Sequence, residues 1–230
     1  IASTNQATGN LTSSLGNSSA ATAALEVTAA PVPTFVSVFA PNTITQGETS
    51  TLTYTIDNAS ASIEASALAF DVSLPSGMSV AMTPAASTTC TGGAVTLTAG
   101  GSSVSFAAGT VDALANCTVS FDVEAVSVGT QTVTSGNLTS GLGNSGAAST
   151  DLTVTGAPLP VFTKSFAAAS IRQGDVTTLT LSIDTTSSFI DATAVTFSDP
   201  LPTGMSVAAT PNASTTCAAG TVTAPAGATS

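Results

Sequence analysis

Few residues in this chain can do chemistry, and what is missing narrows the choice. There is no histidine, so the commonest general base near neutral pH is absent. Serine and threonine are abundant, but as nucleophiles they need an activating lysine or carboxylate beside them. The side-chain cations are Lys164 and Arg172 alone, against thirteen acids and a formal net charge of −11. Two chemistries remain. Cys90, Cys117 and Cys217 can form disulfides, and carboxylates are the hard oxygen ligands that suit calcium.

A repeat orders these residues. LPSGMSVAMTPAASTTC (Leu74 to Cys90) returns as LPTGMSVAATPNASTTC (Leu201 to Cys217), an offset of 127 residues. The same offset superimposes GNLTSSLGNS (Gly9 to Ser18) on GNLTSGLGNS (Gly136 to Ser145). It also superimposes ITQGETSTLTYTID (Ile44 to Asp57) on IRQGDVTTLTLSID (Ile171 to Asp184). Such a period is a whole folded domain, far longer than a solenoid unit. Residues 1–29 then read as the tail of a preceding repeat, 31–156 as one complete repeat and 158–230 as the first part of the next. That is the pattern of a window on a longer array. The start at Ile1, with neither Met nor a signal peptide, fits a mature or internal segment. APVPTF (Ala30 to Phe35) and APLPVF (Ala157 to Phe162) are the linkers, and their paired prolines favour an extended, semi-rigid connection.

Applied to the cysteines, the offset makes Cys217 the copy of Cys90 and puts the copy of Cys117 at position 244, past the last residue. A Cys90–Cys117 disulfide is expected, with the partner of Cys217 beyond the chain end. Closing that loop is worth about 3 kcal/mol on the loop-entropy account. A bridge recurring in each repeat implies an oxidising compartment, the periplasm or the cell exterior.

Among the carboxylates, Glu48 and Asp175, Asp57 and Asp184, and Glu64 and Asp191 are acidic at matching positions. They are the calcium candidates, although their spacing follows no EF-hand pattern. The alternative, preferred here, is a solvated acidic face that keeps the molecule soluble. Six Asn-x-Ser/Thr sequons occur, at Asn10, Asn17, Asn58, Asn116, Asn137 and Asn212. The pair Asn10 and Asn137 recurs by repeat and is the best glycan candidate. Lys164 is matched by Ser37, so no lysine chemistry, including a Lys–Asn cross-link, can belong to every repeat. No catalytic residues are assigned, and the chain is not expected to be an enzyme.

The elements that must position these residues are strands. Leu52, Tyr54 and Ile56 alternate with polar residues, as do Leu68, Phe70, Val72 and Leu74, then Val119, Phe121 and Val123. That period of two marks antiparallel sheets with one face on a core. Turn residues punctuate the stripes at Gln46-Gly47, Pro75-Ser76-Gly77, Gly92-Gly93 and Gly100-Gly101. Seven to nine strands in such a domain is the count of an immunoglobulin-like sandwich, here without the tryptophan of antibody domains. The fold class expected is all-β, as tandem immunoglobulin-like β-sandwich domains. Although 43% of residues are hydrophobic and only 7% charged, no apolar run approaches the length of a spanning helix, so membrane insertion is not expected. Without a basic patch, neither is nucleic-acid binding. A sugar-binding module is disfavoured because there is no Trp and the single Tyr, Tyr54, falls on a core stripe.

The stretches VFTKSFAAASIRQGDVTTLTLSI and FSDPLPTGMSVAATPNASTTC, with NCTVSFDV (Asn116 to Val123) after the second cysteine, resemble bacterial surface repeats grouped as DUF11-like and related Ig-like domains. The chain departs from their pattern at Ser37 and at DVSLP (Asp71 to Pro75), where its own copy has Lys164 and SDPLP. The resemblance implies extracellular, cell-surface β-sandwich modules without known catalysis; no cofactor is expected, calcium being possible. The expected function is a structural segment of a surface filament that self-associates. Spacer repeats of a long adhesin are the alternative, and a calcium-dependent binding module a more distant one.

Overall fold

A computed structural model describes residues 2–229. They form two compact units, divided between Gly156 and Ala157. The first unit opens with an antiparallel pair, β1 (Ala2–Ala7) and β4 (Thr22–Val27), enclosing the two-residue strands β2 (Thr12–Ser13) and β3 (Gly16–Asn17). Every residue of β2, β3 and β4 is exposed.

The sandwich follows. Its strands are β5 (Thr34–Ala40), β6 (Thr43–Thr45), β7 (Thr49–Asp57), β8 (Ala65–Ser73), β9 (Met78–Val80), β10 (Ser87–Thr88), β11 (Ala94–Leu97), β12 (Ser103–Val111), β13 (Asn116–Ala125), β14 (Gly129–Thr134), β15 (Thr139–Ser140), β16 (Gly143–Asn144) and β17 (Ser149–Thr155). One sheet runs β10-β13-β7-β5, with β9 also on β13. The facing layer holds β11-β12-β8-β15-β16 and β14-β17-β6, linked by a bridge from Val72 to Ser135. The order β5-β7-β13-β10 is the A-B-E-D order of an immunoglobulin-type sandwich. A further shared trait is that β6, just after β5, crosses to the other layer and pairs in parallel with β17.

The period-two stripes of the sequence become the core. β13 alternates exposed or half-buried positions with Cys117, Val119, Phe121, Val123 and Ala125, all buried, and β7 does the same with Leu52, Tyr54 and Ile56. β5 and β8 contribute Phe35, Phe39, Leu68, Phe70 and Val72. Tyr54 sits within an aromatic chain, with ring centroids 5.4 Å from Phe35, 4.9 Å from Phe70 and 6.4 Å from Phe121. Phe106 of β12 extends it, 5.4 Å from Phe70. Each such ring adds about 1.5–3 kcal/mol by burial, and aromatic pairing adds to this. The pairing of β8 with β12 is irregular beyond Phe106, where the register shifts, and Ala67 and Ala108 there take positive φ of 52° and 61°. A β-bulge of this kind bends a strand around the core.

Among the described residues the second unit carries β18 (Val161–Phe166) and β19 (Leu179–Asp184), paired antiparallel. Residues 192–200 align with β8 but form no strand. β8 is held by β12 and β15, and none of the described residues of the second unit is equivalent to those strands.

Candidate functional site

The feature most distinctive of this sequence, the Leu74-to-Cys90 stretch, folds as a corner leading into the disulfide. Met78 N–H donates to Pro75 C=O at 3.0 Å, closing a turn through Gly77 at a φ of 86°. A Cβ on Gly77 would stand 1.8 Å from Ser127 Oγ, so glycine is required for space as well as for backbone conformation. β9 then pairs with β13, Val80 opposite Val123. Thr88 Oγ1 accepts from the Cys90 amide at 3.1 Å.

Cys90 is bonded to Cys117, with Cα atoms 4.9 Å apart and both residues buried. Cys117 begins the inward stripe of β13, while Cys90 lies just past β10, the edge strand beside β13. The bridge therefore ties β13 to the segment that leaves the edge strand β10 and, one residue on, bridges the facing layer at Thr91–Thr110. β10 is only two residues long, so the covalent tie supplies what so short a ladder cannot. Cys217 is free and exposed.

The carboxylates that recur by repeat are spread among separate turns. Glu48 Oε2 accepts from the Thr45 amide at 2.6 Å, and its copy Asp175 Oδ2 from the Arg172 amide at 3.1 Å. Asp57 Oδ1 accepts from the Ala59 amide at 2.8 Å, and its copy Asp184 Oδ1 from the Thr186 amide at 2.9 Å. Glu64 and Asp191 are exposed. The first two pairs recur because each carboxylate caps a backbone turn, an ordinary use of acidic side chains at such positions. Among the described residues no group of three Asp, Glu, Cys or His is placed to hold a metal ion. The hydrogen bonds from the Thr186 backbone and then its hydroxyl hold the Asp184 carboxyl below the usual aspartate range.

Asn10 and Asn137 are both exposed. Asn58 is buried instead, and its Nδ2 donates to Ile63 C=O at 2.9 Å and Asp112 C=O at 3.1 Å. It fastens the β7–β8 loop to the β12–β13 loop and is closed to a glycan.

Sequence reasoning missed one charged contact. Lys164 Nζ lies 2.6 Å from Asp199 Oδ1. The matching positions in the first unit are Ser37 and Val72, both buried. The signal was present as two departures between the copies, Ser37 for Lys164 and DVSLP for SDPLP. Only the fold reveals that they are a single exchange, of an ion pair for a serine and a valine. A shallow groove on the outer layer, between β8, β12 and β11, is lined by Asp71, Ser73, Thr96, Thr98, Ser103 and Ser105 among others. Asp71 is its one titratable group, so it offers no acid–base pair.

Fold and corner together define an immunoglobulin-like β-sandwich module closed by a disulfide. The chain belongs to the family described as a domain of unknown function, DUF7933, which matches residues 33–154 and again 160–230. The resemblance to DUF11-like repeats thus holds for the Ig-like architecture and does not extend to that group specifically. Among curated proteins none matches. Solved structures similar to the chain include a cohesin module from a Clostridium perfringens ATCC13124 family 33 glycoside hydrolase, at 8% identity and a TM-score of 0.40, covering 54% of this chain and 98% of that one. Another is the collagen-binding domain from a Staphylococcus aureus adhesin, at 10% and 0.37, covering 52% and 95%. The bacterial hydrophobin BslA follows at 18% and 0.36, covering 55% and 97%.

Proposed function

We propose that the chain is a structural segment of an extracellular bacterial surface fibre, built from tandem sandwich domains and performing no catalysis. The observation that carries this is the repetition of one domain, in a fixed register of 127 residues, with a disulfide in its complete copy. A covalently closed sandwich suits an oxidising exterior and resists unfolding. Proline-rich connections at Ala30 to Phe35 and Ala157 to Phe162 limit bending between consecutive domains. The scarcity of lysine and arginine leaves few sites for trypsin-like proteases. In this account the recurrent carboxylates cap turns and keep the surface soluble, and calcium is not needed.

Negative-stain electron microscopy of the purified native protein tests it. Ordered filaments of uniform width support a self-associating fibre. Isolated flexible strings would overturn self-association and favour spacer repeats of an adhesin. Compact globules of domain size would overturn both.

A further inference from the structure

We propose that β5 is a self-pairing edge, through which the first units of two chains join side by side about a two-fold axis. β5 pairs with β7 along its length, and no other strand of the described residues pairs with its second side. An edge of this length is usually defended by a charge, a bulge, a proline or an inward-pointing ion, and here the prolines stand only outside the strand, at Pro33 and Pro41. This one carries no charged residue from Pro31 to Pro41. Its outward side chains, Val36 and Val38, are each 54% exposed.

The sequence of the strand selects the partner. From Pro33 to Pro41 it reads PTFVSVFAP, a palindrome about Ser37 broken only at Thr34 and Ala40. Antiparallel pairing of two copies about a two-fold axis is reciprocal in any register. Centred on Ser37, the near-palindrome also brings like residues together. Val36 falls opposite Val38 of the second copy on the outer face, and Phe35 opposite Phe39 on the inner face. Pro33 falls opposite Pro41, so residues without an N–H close the ladder at both ends.

The centre of the palindrome holds a second, independent observation. Ser37 is 9% exposed, and its hydroxyl is buried without a hydrogen-bond partner. On the two-fold axis it faces the same hydroxyl of the second copy at cross-strand distance, where one donates and the other accepts. A polar atom that the monomer leaves unsatisfied is satisfied by the pair.

The corresponding strand of the second unit makes the contrast. There β18 has Lys164 at the central position and Thr163 and Ser165 outward. The same pairing would put two long lysine side chains, each already held by Asp199 at 2.6 Å, on the two-fold axis, which disfavours it. The self-pairing edge belongs to the first unit. This contact is lateral and stands independently of end-to-end assembly of the domains.

The test is sedimentation equilibrium on the full chain carrying Cys217→Ser, which removes the exposed thiol as a route to covalent dimers. A reversible dimer is expected at high micromolar concentration. Val36→Lys with Val38→Lys should weaken it at least about tenfold, because lysine is a standard edge guard. Both valines are exposed, so the thermal melting of the monomer should stay the same. Register is read separately: Val36→Cys with Val38→Cys should give, on mild oxidation, a dimer whose peptide map links position 36 to position 38. A chain that stays monomeric at every concentration overturns the proposal. So does a dimer indifferent to the lysines, or a map linking other positions.

Discussion

The second unit, Ala157–Ser230, repeats only the part of the first unit's text that begins at Ala30 and stops at Ser103, and among the described residues it forms one hairpin where the first unit forms a sandwich. What survives in the second unit is local. The Pro-x-Gly turn is the same, with Met205 N–H to Pro202 C=O at 3.0 Å and Gly204 at a φ of 91°. The Cys217 amide meets Thr215 Oγ1 at 3.1 Å, as Cys90 meets Thr88. Unusual backbone follows suit: Ala194 has a φ of 53° where Ala67 has 52°, and Asn212 has 49° where Ala85 has 45°. The first hairpin forms in both, and Phe162 and Phe197 lie 5.0 Å apart where Phe35 and Phe70 lie 4.9 Å apart. What is lacking is every strand whose partner has no equivalent among that unit's described residues. Turns and caps need only a few neighbours, whereas an unpaired strand leaves backbone groups to water and gains nothing over coil.

The largest expected effect that sharpens this contrast is at the matched phenylalanines. Phe70→Ala should cost the first unit about 3–5 kcal/mol, as a large-to-small change in a filled core. Phe197→Ala, at a position 49% exposed, should leave the melting of this chain within about 0.5 kcal/mol. Equal losses at the two sites would show that the second unit has a core of its own. Next comes the disulfide. Cys90→Ala with Cys117→Ala should lower stability by about 3 kcal/mol in denaturant unfolding, while Cys217→Ser should leave it unchanged.

Smaller is the glycine pair. Gly77→Ala and Gly204→Ala both force a side chain into positive φ, at about 1 kcal/mol. Only the first also meets Ser127, whereas open space surrounds Gly204, so Gly77→Ala should be the costlier and equal costs would contradict the packing described. The Lys164–Asp199 pair is partly exposed, and Lys164→Met should change stability by no more than about 1 kcal/mol, with the difference shrinking in salt.

Smallest is the acidic end of β19. The Asp184 carboxyl titrates below an unfolded aspartate. Its contribution is therefore present above the unfolded pKa and is lost as pH falls through the folded one. Carboxyl-carbon NMR resonances followed through an acid titration will show this, and a midpoint at or above the ordinary value would remove the turn cap. Calcium chelation should leave the melting temperature unmoved, and a drop of several degrees would restore the carboxylates as ligands.

Legibility in the sequence divides along the same line. The Cys90–Cys117 pairing was readable because the repeat singles out Cys217 as the copy of Cys90. The stripes of β7, β8 and β13 were readable because period two needs no knowledge of partners. The recurrence of Glu48 and Asp57 in the copies was readable, but its cause was not. A carboxylate binding a metal and one capping its own turn leave the same trace until the backbone amides are located. Asn58 shows the same limit, since a sequon is read from three residues but its burial depends on loops from Ile63 and Asp112. That β5 is an edge was hidden for a related reason, because strand order is a property of the whole sheet.

Tyr54 gives the molecule a built-in signal. It is the sole tyrosine, there is no tryptophan, and it lies in the heart of the first sandwich, where burial raises its hydroxyl pKa well above the usual range. Its counterpart in the second unit is Leu181. Tyrosine emission from this chain therefore comes from one ring in one domain. Unfolding of that domain can be followed without a label, and alkaline ionisation of the phenol at ordinary pH would itself report that the core had opened.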